Sequence, residues 1–289
     1  MEAPFPPLSV AIPDSSLIDS KSLLEKSLRV AQFARSLSIF RVEKVYVYKD
    51  MSTTATPHDF KLLTLLLEYL DTPQYLRKLL YPKMKYLQFA GMLPPIQSPH
   101  HKKFVRTSDV QSGEARAGVL LKERGSWVVD VGLDRTIPFI GQTEISKKSN
   151  FKLIHKKGQL VAEEMQGKLN DGDYWGYHVS IIHTLSDITK RLSDVKFLVT
   201  SRKGKPISFI IPSITKKFKH ASEVVLLFGS PRNDVWEIVS KNDENLINSS
   251  LVVNMFPFQG TKTVRLEEAL LGSLALINNI RVTCHSSSP

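Results

Sequence analysis

The chain has 289 residues, of which 42% are hydrophobic and 23% are charged, and its 39 Lys and Arg residues outnumber 28 Asp and Glu residues to give a net charge of +11. This composition excludes a disordered chain and leaves room for about two domains. The basic excess favours a polyanionic partner, first a nucleic acid and second an anionic membrane surface. No run of about 18 uninterrupted apolar residues is present, so we expect no membrane-spanning helix.

The cysteine content bears on the compartment and on metal binding. Cys284 is the single cysteine of the chain, which excludes a disulfide framework and a cysteine-based zinc cluster. Residues 1–16 carry no basic residue ahead of their apolar stretch, unlike a signal peptide. We therefore expect a reducing, cytoplasmic setting and no metal.

Residues 1–95 alternate between strand and helix patterns. Ser22 and Glu25 have the spacing of a capping box, and Thr56 precedes a proline at the first helical position. The predicted elements are, in order, a strand at 8–12, a helix from 22, a strand at 42–48, a helix at 57–70 and a helix that begins at 72–73 and ends before 82. This alternation indicates an α/β sheet.

The next stretch, residues 96–170, has short strands and turns in place of helices. Strands are predicted at 116–121, 126–131, 136–140 and 159–164, which indicates a small β-barrel inserted after Pro94 and Pro95. Residues 95–170 carry 13 Lys and Arg against 8 Asp and Glu, with basic clusters at 100–103, and on loops at 147–148 and 156–157. The surface is either simply solvated or an electrostatic track for RNA or DNA, and the basic remainder of the chain favours the track.

From residue 171 the α/β pattern resumes. Strands are predicted at 196–200, 223–228 and 251–256, and a final helix at 264–278 has Leu266, Leu270, Leu274 and Ile277 on one face. Each strand runs into a loop that contains a glycine: Gly204, Gly229 or Gly260. Ligands of open α/β sheets bind at the carboxyl ends of strands, so these glycines either allow close approach to a ligand or simply form tight turns.

Common catalytic and cofactor motifs are missing from the sequence. There is no G-x-G-x-x-G, no G-x-x-x-x-G-K-[ST], no H-E-x-x-H and no G-x-S-x-G. A Rossmann dinucleotide site, a P-loop, a zinc protease site and a serine hydrolase elbow are therefore not expected.

The three glycine loops carry a family resemblance. Residues 252–269 (VVNMFPFQGTKTVRLEEA) resemble the C-terminal knot motif of the SPOUT RNA methyltransferases, and residues 228–231 (FGSP) and 200–204 (TSRKG) resemble the two other cofactor loops. The archaeal and eukaryotic subfamily with an inserted OB-like barrel is similar at 105–110 (VRTSDV), 131–134 (VGLD) and 174–177 (YWGY). The resemblance extends from about residue 9 to residue 279.

This resemblance implies a fold, a cofactor and partners. The implied fold is an α/β SPOUT domain of residues 1–95 and 171–289 with a deep trefoil knot, an exception to the usual rule against threaded chains. Residues 96–170 would form an OB-like β-barrel that binds RNA, and the protein would be a homodimer that binds S-adenosylmethionine. Carried over by position, the cofactor residues are Thr200, Lys203, Gly229, Asn254, Gln259, Gly260 and Thr263. Lys203 departs from the arginine expected in many relatives.

Residues 260–269 also resemble SPOUT enzymes that methylate N3 of uridine in ribosomal RNA. A positive group would favour the uridine anion that attacks the methyl group, and Arg202 and Arg265 are the candidates for this catalytic role or for holding a phosphate. Arg265 could instead form an ion pair with a glutamate at the start of the final helix. The expected function is an S-adenosylmethionine-dependent RNA methyltransferase. The alternative is an RNA-binding or ribosome-assembly protein that keeps the fold without efficient methyl transfer, and the retained glycines favour the enzyme.

Overall fold

The computed structural model of the chain describes residues 6–53, 55–142, 148–165, 174–219 and 221–286, with side chains described to residue 282. The chain divides into two compact units. Of the described residues, the barrel unit takes 72–84, 97–142, 148–165 and 174–175, and the sheet unit takes 6–53, 55–71, 85–96, 176–219 and 221–286.

Strands and helices alternate at both ends of the chain and strands dominate its middle. In chain order the elements are β1 (Leu8–Pro13), α1 (Leu23–Ile39), β2 (Lys44–Tyr48), α2 (Pro57–Asp71), α3 (Gln74–Leu80), β3 (Ala115–Glu123), β4 (Ser126–Asp130), β5 (Ile137–Ile140), β6 (Lys148–Lys156), β7 (Gln159–Glu164), β8 (His178–Ile181), α4 (Ser186–Arg191), β9 (Val195–Pro206), α5 (Ile207–Phe218), β10 (Glu223–Leu227), α6 (Val235–Ile238), α7 (Glu244–Asn248), β11 (Leu251–Asn254) and α8 (Leu266–Ser286).

A six-stranded sheet in the order β11-β9-β10-β1-β2-β8 forms the sheet unit, and every neighbouring pair of strands is parallel. Parallel strands are usually covered on both faces, and here alternate side chains enter two separate cores. Val10 and Ile12 pack in a core with residues of α1, α2, α5 and α8. Ala11 packs on the opposite face, in a core with residues of α4, α6 and α7.

Polar side chains fix the starts of three helices in this unit, as the sequence predicts for the first two. Ser22 accepts a hydrogen bond from the Glu25 amide at 3.1 Å, and the Thr56 hydroxyl accepts one from the Asp59 amide at 3.1 Å. Asp234 and Glu237 form a reciprocal capping box at the start of α6. Each cap satisfies amides that a helix leaves without internal partners.

Five strands, β3-β4-β5-β7-β6, form a closed barrel in the barrel unit. Neighbouring strands are antiparallel except β5 and β7, which are parallel. Phe151, Val129 and Leu153 are fully buried inside the barrel. On the outside, Leu76 of α3 is buried against Ala117 and Val119 of β3.

The structure corrects several expectations about local structure. Lys148 and Lys156 lie in β6, a strand that the sequence did not predict, and Lys157 follows in a turn with φ of 49°; Lys147 falls outside the described residues. His100 is buried, with 1% of its surface exposed, so it is not part of a basic surface. The four-residue β8 was also missed, because it is too short to show a periodic pattern. Helix α5 was missed although its buried residues Ile207, Ile210, Ile214 and Phe218 have helical spacing; Pro212 lies inside it, and a proline within a run usually argues against a helix.

The glycine at residue 204 does not lie in a loop after its strand. It lies within β9, which continues to Pro206. The ladder between β9 and β11 pairs Val199 with Val252 and then Lys205 with Val253, so residues 200–204 are looped out of the pairing as a large bulge.

Candidate functional site

A cavity of about 190 Å³ lies at the carboxyl ends of β9, β10 and β11, within the sheet unit. Three chain segments and the start of α8 surround it. Its lining residues are Thr200, Ser201, Arg202, Phe228, Gly229, Ser230, Pro231, Arg232, Asn233, Asp234, Asn254, Met255, Phe256, Gln259, Thr263, Val264, Leu266, Ala269 and Ser273. The carboxyl edge of a parallel sheet is where α/β proteins bind ligands.

The bulge at residues 200–204 forms one wall. The Thr200 hydroxyl donates to the carbonyl of Leu227 at 3.0 Å, and the Ser201 hydroxyl donates to Asp234 at 2.7 Å. The Arg202 guanidinium donates to the carbonyl of Lys262 at 2.9 Å. The bulge is therefore tied to both of the other segments around the cavity.

Gly204 allows the bulge to lie against β11. A Cβ atom at this position would approach the backbone atoms of Val253 to 2.6 Å, closer than any side chain can sit. Residue 204 must therefore be glycine because the bulge packs against β11, and not because a ligand contacts it.

The second wall is the loop of residues 229–234. The Ser230 hydroxyl accepts a hydrogen bond from the Asn233 amide at 2.9 Å, and the Ser230 amide donates to the Asn233 carbonyl at 3.0 Å. A Cβ atom on Gly229 would lie 2.8 Å from that same carbonyl oxygen. Gly229 is thus needed to close this tight loop, whose backbone faces the cavity.

A buried tyrosine hydroxyl binds the backbone at the start of the loop of residues 229–234. The Tyr48 hydroxyl donates to the carbonyl of Phe228 at 2.6 Å. Full burial raises the pKa of Tyr48 well above its ordinary value of 10, with a smaller contribution from nearby carboxylates such as Asp50. The phenol therefore stays neutral and remains a donor to the chain at the base of the cavity.

Residues 254–263 form the third wall. The Asn254 side chain accepts from the Phe256 amide at 3.0 Å and donates to the carbonyl of Arg202 at 3.4 Å. The side-chain amide of Gln259 donates to the carbonyl of Thr261 at 2.9 Å. A Cβ atom on Gly260 would meet nothing within 4 Å, so this glycine has open space around it.

The first turns of α8 complete the site. Leu266, Ala269 and Ser273 lie on one helix face, and all three line the cavity. The Ser273 side chain is fully buried, and its hydroxyl has no hydrogen-bond partner in the described part of the protein. A buried hydroxyl without a partner costs free energy, which a ligand in the cavity could recover.

The cavity brings together most of the site residues that the sequence singled out. Those lining it are Thr200, Arg202, Gly229, Asn254, Gln259 and Thr263, whereas Lys203, Gly260 and Arg265 do not line it. Lys203 is exposed, with its ammonium 3.8 Å from Asp234 and 5.9 Å from the centre of the Trp236 ring. It therefore lies on the outer side of the Asp234 loop.

Arg265 lies at the start of α8, beside the cavity. Its amide donates to the Glu268 carboxylate at 2.9 Å, and its guanidinium has no carboxylate within the 4.0 Å of an ion pair among the residues described. Glu267 lies instead 3.4 Å from Arg29. The ion pair that the sequence allowed for Arg265 is thus not formed.

Ser273 and Arg232 are two of the cavity residues that the sequence did not single out as site residues. Ser273 was missed because a small polar residue on an apolar helix face gives no functional signal until its lack of a partner is seen. Arg232 lines the cavity, and its position two residues after the FGS loop was the available signal. Arg202 and Arg232 thus place two guanidinium groups at the cavity. Among the described residues that line it, Asp234 is the one with a negatively charged side chain.

The chain is similar to known proteins over most of its length. Residues 7–277 match the model of a protein family described as "Putative RNA methyltransferase". The chain is 32% identical to a Drosophila melanogaster protein named 28S rRNA (uridine-N(3))-methyltransferase, with 93% of this chain and 61% of that protein covered. A Homo sapiens protein of the same name is 29% identical, with 93% and 77% covered.

The chain thus spans about 61% of the length of the Drosophila relative. The family match, in contrast, includes nearly all of this chain and all three walls of the cavity. The chain therefore belongs to this family of RNA methyltransferases.

Proposed function

We propose that this chain transfers a methyl group from S-adenosylmethionine to N3 of a uridine in ribosomal RNA. One observation carries the proposal: the three segments that resemble cofactor loops converge on a single cavity in a member of an RNA methyltransferase family. The names of the Drosophila and human relatives support ribosomal RNA as the substrate and uridine N3 as the acceptor.

The cavity suits the proposed cofactor in its chemistry. Apolar side chains of Phe228, Met255 and Leu266 could cover the adenosine, while Thr200, Asn254, Gln259 and Thr263 supply polar groups. The unpartnered hydroxyl of Ser273 offers one further donor or acceptor inside the cavity. When bound, S-adenosylmethionine supplies a methyl group on a positively charged sulfur.

Uridine N3 must lose its proton, here to solvent, when it forms the new bond to the methyl carbon; the bond from that carbon to sulfur breaks and S-adenosylhomocysteine leaves. The negative charge that proton loss leaves on the base is stabilised by a nearby cation, which lowers the pKa of the imide. Arg202 faces the cavity and Arg265 lies beside it without an ion-pair partner among the described residues. We assign this electrostatic role to these two side chains, with Arg265 the more available.

We also propose that the C-terminal part of the chain forms the SPOUT knot and that the barrel has an OB-like fold. The knot is supported by the way residues 200–204 lie against 253–262: Gly204 abuts Val253, and Arg202 donates to the Lys262 carbonyl. An OB-like fold is supported by the closed order β3-β4-β5-β7-β6 with one parallel pair. The barrel would bind the RNA.

A homodimer is the proposed assembly. Apolar side chains are exposed on α5 and α8, with Phe209 at 78% and Leu271 at 46% exposure. Phe258 is fully exposed and holds a φ of 59°, which is unusual for a bulky residue. A second copy would cover such residues, and sedimentation of wild type and Phe209→Asp tests this, with a monomeric variant expected.

The activity is tested by mapping 3-methyluridine in ribosomal RNA from cells with and without the gene. The methyl group lies on the pairing edge of the base, so reverse transcription stops at the modified site. We expect one stop to vanish without the gene and to return with the wild-type gene. An unchanged pattern together with defective ribosome assembly would favour the alternative of an assembly protein.

A membrane partner would be indicated by a long apolar helix, and a metal ion by a cluster of metal-ligating side chains. None of the helices that the structure describes is both long and apolar enough to span a bilayer. The described residues also contain no group of three or more His, Cys, Asp or Glu side chains that could hold a metal ion. RNA and a second copy are the proposed macromolecular partners.

A further inference from the structure

A short basic segment of the barrel unit presents an exposed aromatic ring. Lys102, Lys103, Phe104 and Arg106 are all exposed, and Phe104 has 63% of its surface in contact with solvent. We call residues 102–106 the basic arm. An exposed phenylalanine between cations gains nothing from folding, because its apolar surface stays in water.

The basic arm is attached to the barrel through its one apolar aliphatic residue. Val105 is half-buried, packs against the barrel core and forms a parallel bridge with Leu133. Side chains alternate along extended backbone, so Phe104 and Arg106 point away from the core when Val105 points into it. The ring is therefore directed outward by the backbone itself.

Polar contacts within the arm and directly after it hold the arm in place. The guanidinium of Arg116, only 2% exposed, donates to the carbonyl of Lys103 at 3.0 Å and to that of Val131 at 3.3 Å. After the arm, the Thr107 amide donates to Asp134 at 2.8 Å, and the Thr107 hydroxyl donates to the same oxygen. A segment fixed at both ends loses little conformational entropy when it binds a partner.

Charge identifies the kind of partner. The three charged side chains of the arm are all positive, and none has a carboxylate within the 4.0 Å of an ion pair among the described residues. Phosphate groups can pair with these cations. The exposed ring can stack on the face of a nucleobase, and this stacking is favourable for every base. Bases in a duplex are already stacked on each other and cannot use such a ring.

We propose that the basic arm binds unpaired RNA, with one base stacked on Phe104 and the neighbouring phosphates held by Lys102, Lys103 and Arg106. This inference rests on the proposed function in that RNA is taken as the substrate. It adds the position of the contact and the preference for a single strand.

The test measures binding of a labelled oligouridylate and of an RNA duplex of equal length over a range of salt concentrations. Phe104→Ala should weaken single-strand binding by roughly 5- to 150-fold at every salt concentration, the effect of losing one stacked base. Its salt dependence should not change, because no charge is lost. Phe104→Trp should bind as wild type or more tightly.

Arg106→Ala should behave differently from Phe104→Ala. The slope of log affinity against log salt should fall by about 0.7 for a single strand, since one phosphate contact is removed. Ile140→Ala, at an apolar residue of the same unit that is 43% exposed, is the control and should leave both affinity and slope unchanged.

Several results would overturn the proposal. The first is that Phe104→Ala binds the single strand as tightly as Ile140→Ala does. The second is that Phe104→Ala loses the same affinity for the duplex as for the single strand. The third is that the wild-type protein binds neither RNA. The methyl-transfer assay is separate: a wild-type enzyme that methylates RNA while Phe104→Ala binds normally would contradict only the role of the arm.

Discussion

The three glycines that the sequence singles out have different structural roles. Gly204 faces the backbone of Val253, Gly229 faces the carbonyl of Asn233, and Gly260 faces open space. The sequence shows only three similar glycines, because the atoms that an added side chain would meet depend on how the backbone folds around each position. Only Gly229 combines a steric requirement with a place in the cavity lining.

Gly229→Ala should therefore weaken cofactor binding, because the new methyl group must push against the Asn233 carbonyl 2.8 Å away. Overpacking of this kind costs about 1–3 kcal/mol, and it would displace the loop that faces the cavity. Titration calorimetry with S-adenosylmethionine measures the effect. Gly260→Ala has room for its methyl group and serves as the matched control; equal affinities for the two variants would refute the steric argument.

Arg265→Lys tests the electrostatic role of this side chain. Lysine keeps the charge but cannot reproduce the paired donors of a guanidinium. Single-turnover methylation should slow by roughly 100-fold, the effect of losing one donor to developing charge, while cofactor affinity stays constant because Arg265 does not line the cavity. Normal turnover would remove Arg265 from the mechanism, and lost cofactor binding would place it in the pocket.

At the scale of elements, the start of α8 is anchored by a buried cation. Arg29 of α1 is 6% exposed and contacts Asp19, Glu25 at 3.9 Å and Glu267 at 3.4 Å. Glu267 lies in the first turn of α8, next to Leu266 in the cavity lining. The ion-pair cluster therefore sets the position of the helix that closes the cavity.

Arg29→Met should destabilise the protein by about 3 kcal/mol, because it leaves the nearly buried Glu267 without its cation. Urea unfolding measures this. Lys190→Met breaks the pair with Asp187 at 3.1 Å, in which the lysine side chain is 71% exposed, and should cost less than about 1 kcal/mol. If Arg29→Met and Lys190→Met lowered the free energy of unfolding by the same amount, the Arg29 ion pairs would contribute no more than an exposed pair, which would contradict their anchoring role.

The contact that holds the basic arm should be visible in a titration. Hydrogen bonds from the Thr107 hydroxyl and amide hold the pKa of Asp134 below its ordinary value of 3.8. This contact therefore adds stability above that value and loses it as the pH falls through the lowered pKa. In Thr107→Val the Asp134 pKa should rise toward 3.8 in a carboxyl NMR titration, and an unchanged pKa would contradict the contact.

Elements with strong local signals could be predicted, and elements defined by distant contacts could not. Helix α2 follows from Thr56 and Pro57 together with its apolar face, and β7 was predicted with its observed bounds, Gln159–Glu164. Strand β8 has four residues and depends on pairing with β2, so no local pattern marks it. The bulge at 200–204 is likewise visible only in the register between β9 and β11.

At the scale of the whole molecule, segments far apart in sequence combine into each unit. The cavity takes residues from 200 to 273, and the barrel unit takes α3, whose Leu76 is buried against β3. Residues 105–110 and 131–134, which resemble family motifs, contact each other through Thr107 and Asp134. These motifs thus have a structural role in the barrel, and Arg106 of the first motif also belongs to the basic arm. The motifs at 200–204, 228–231 and 252–269 form the candidate site.

Single-turnover transfer of a labelled methyl group from S-adenosylmethionine to purified large-subunit ribosomal RNA tests this account most directly. The nucleosides are then separated by chromatography and identified by mass spectrometry. We expect the label in 3-methyluridine with the wild-type chain and a much slower transfer with Gly229→Ala. Label in another nucleoside would contradict the proposed acceptor, and a chain that binds the RNA but transfers no label would contradict the enzyme itself.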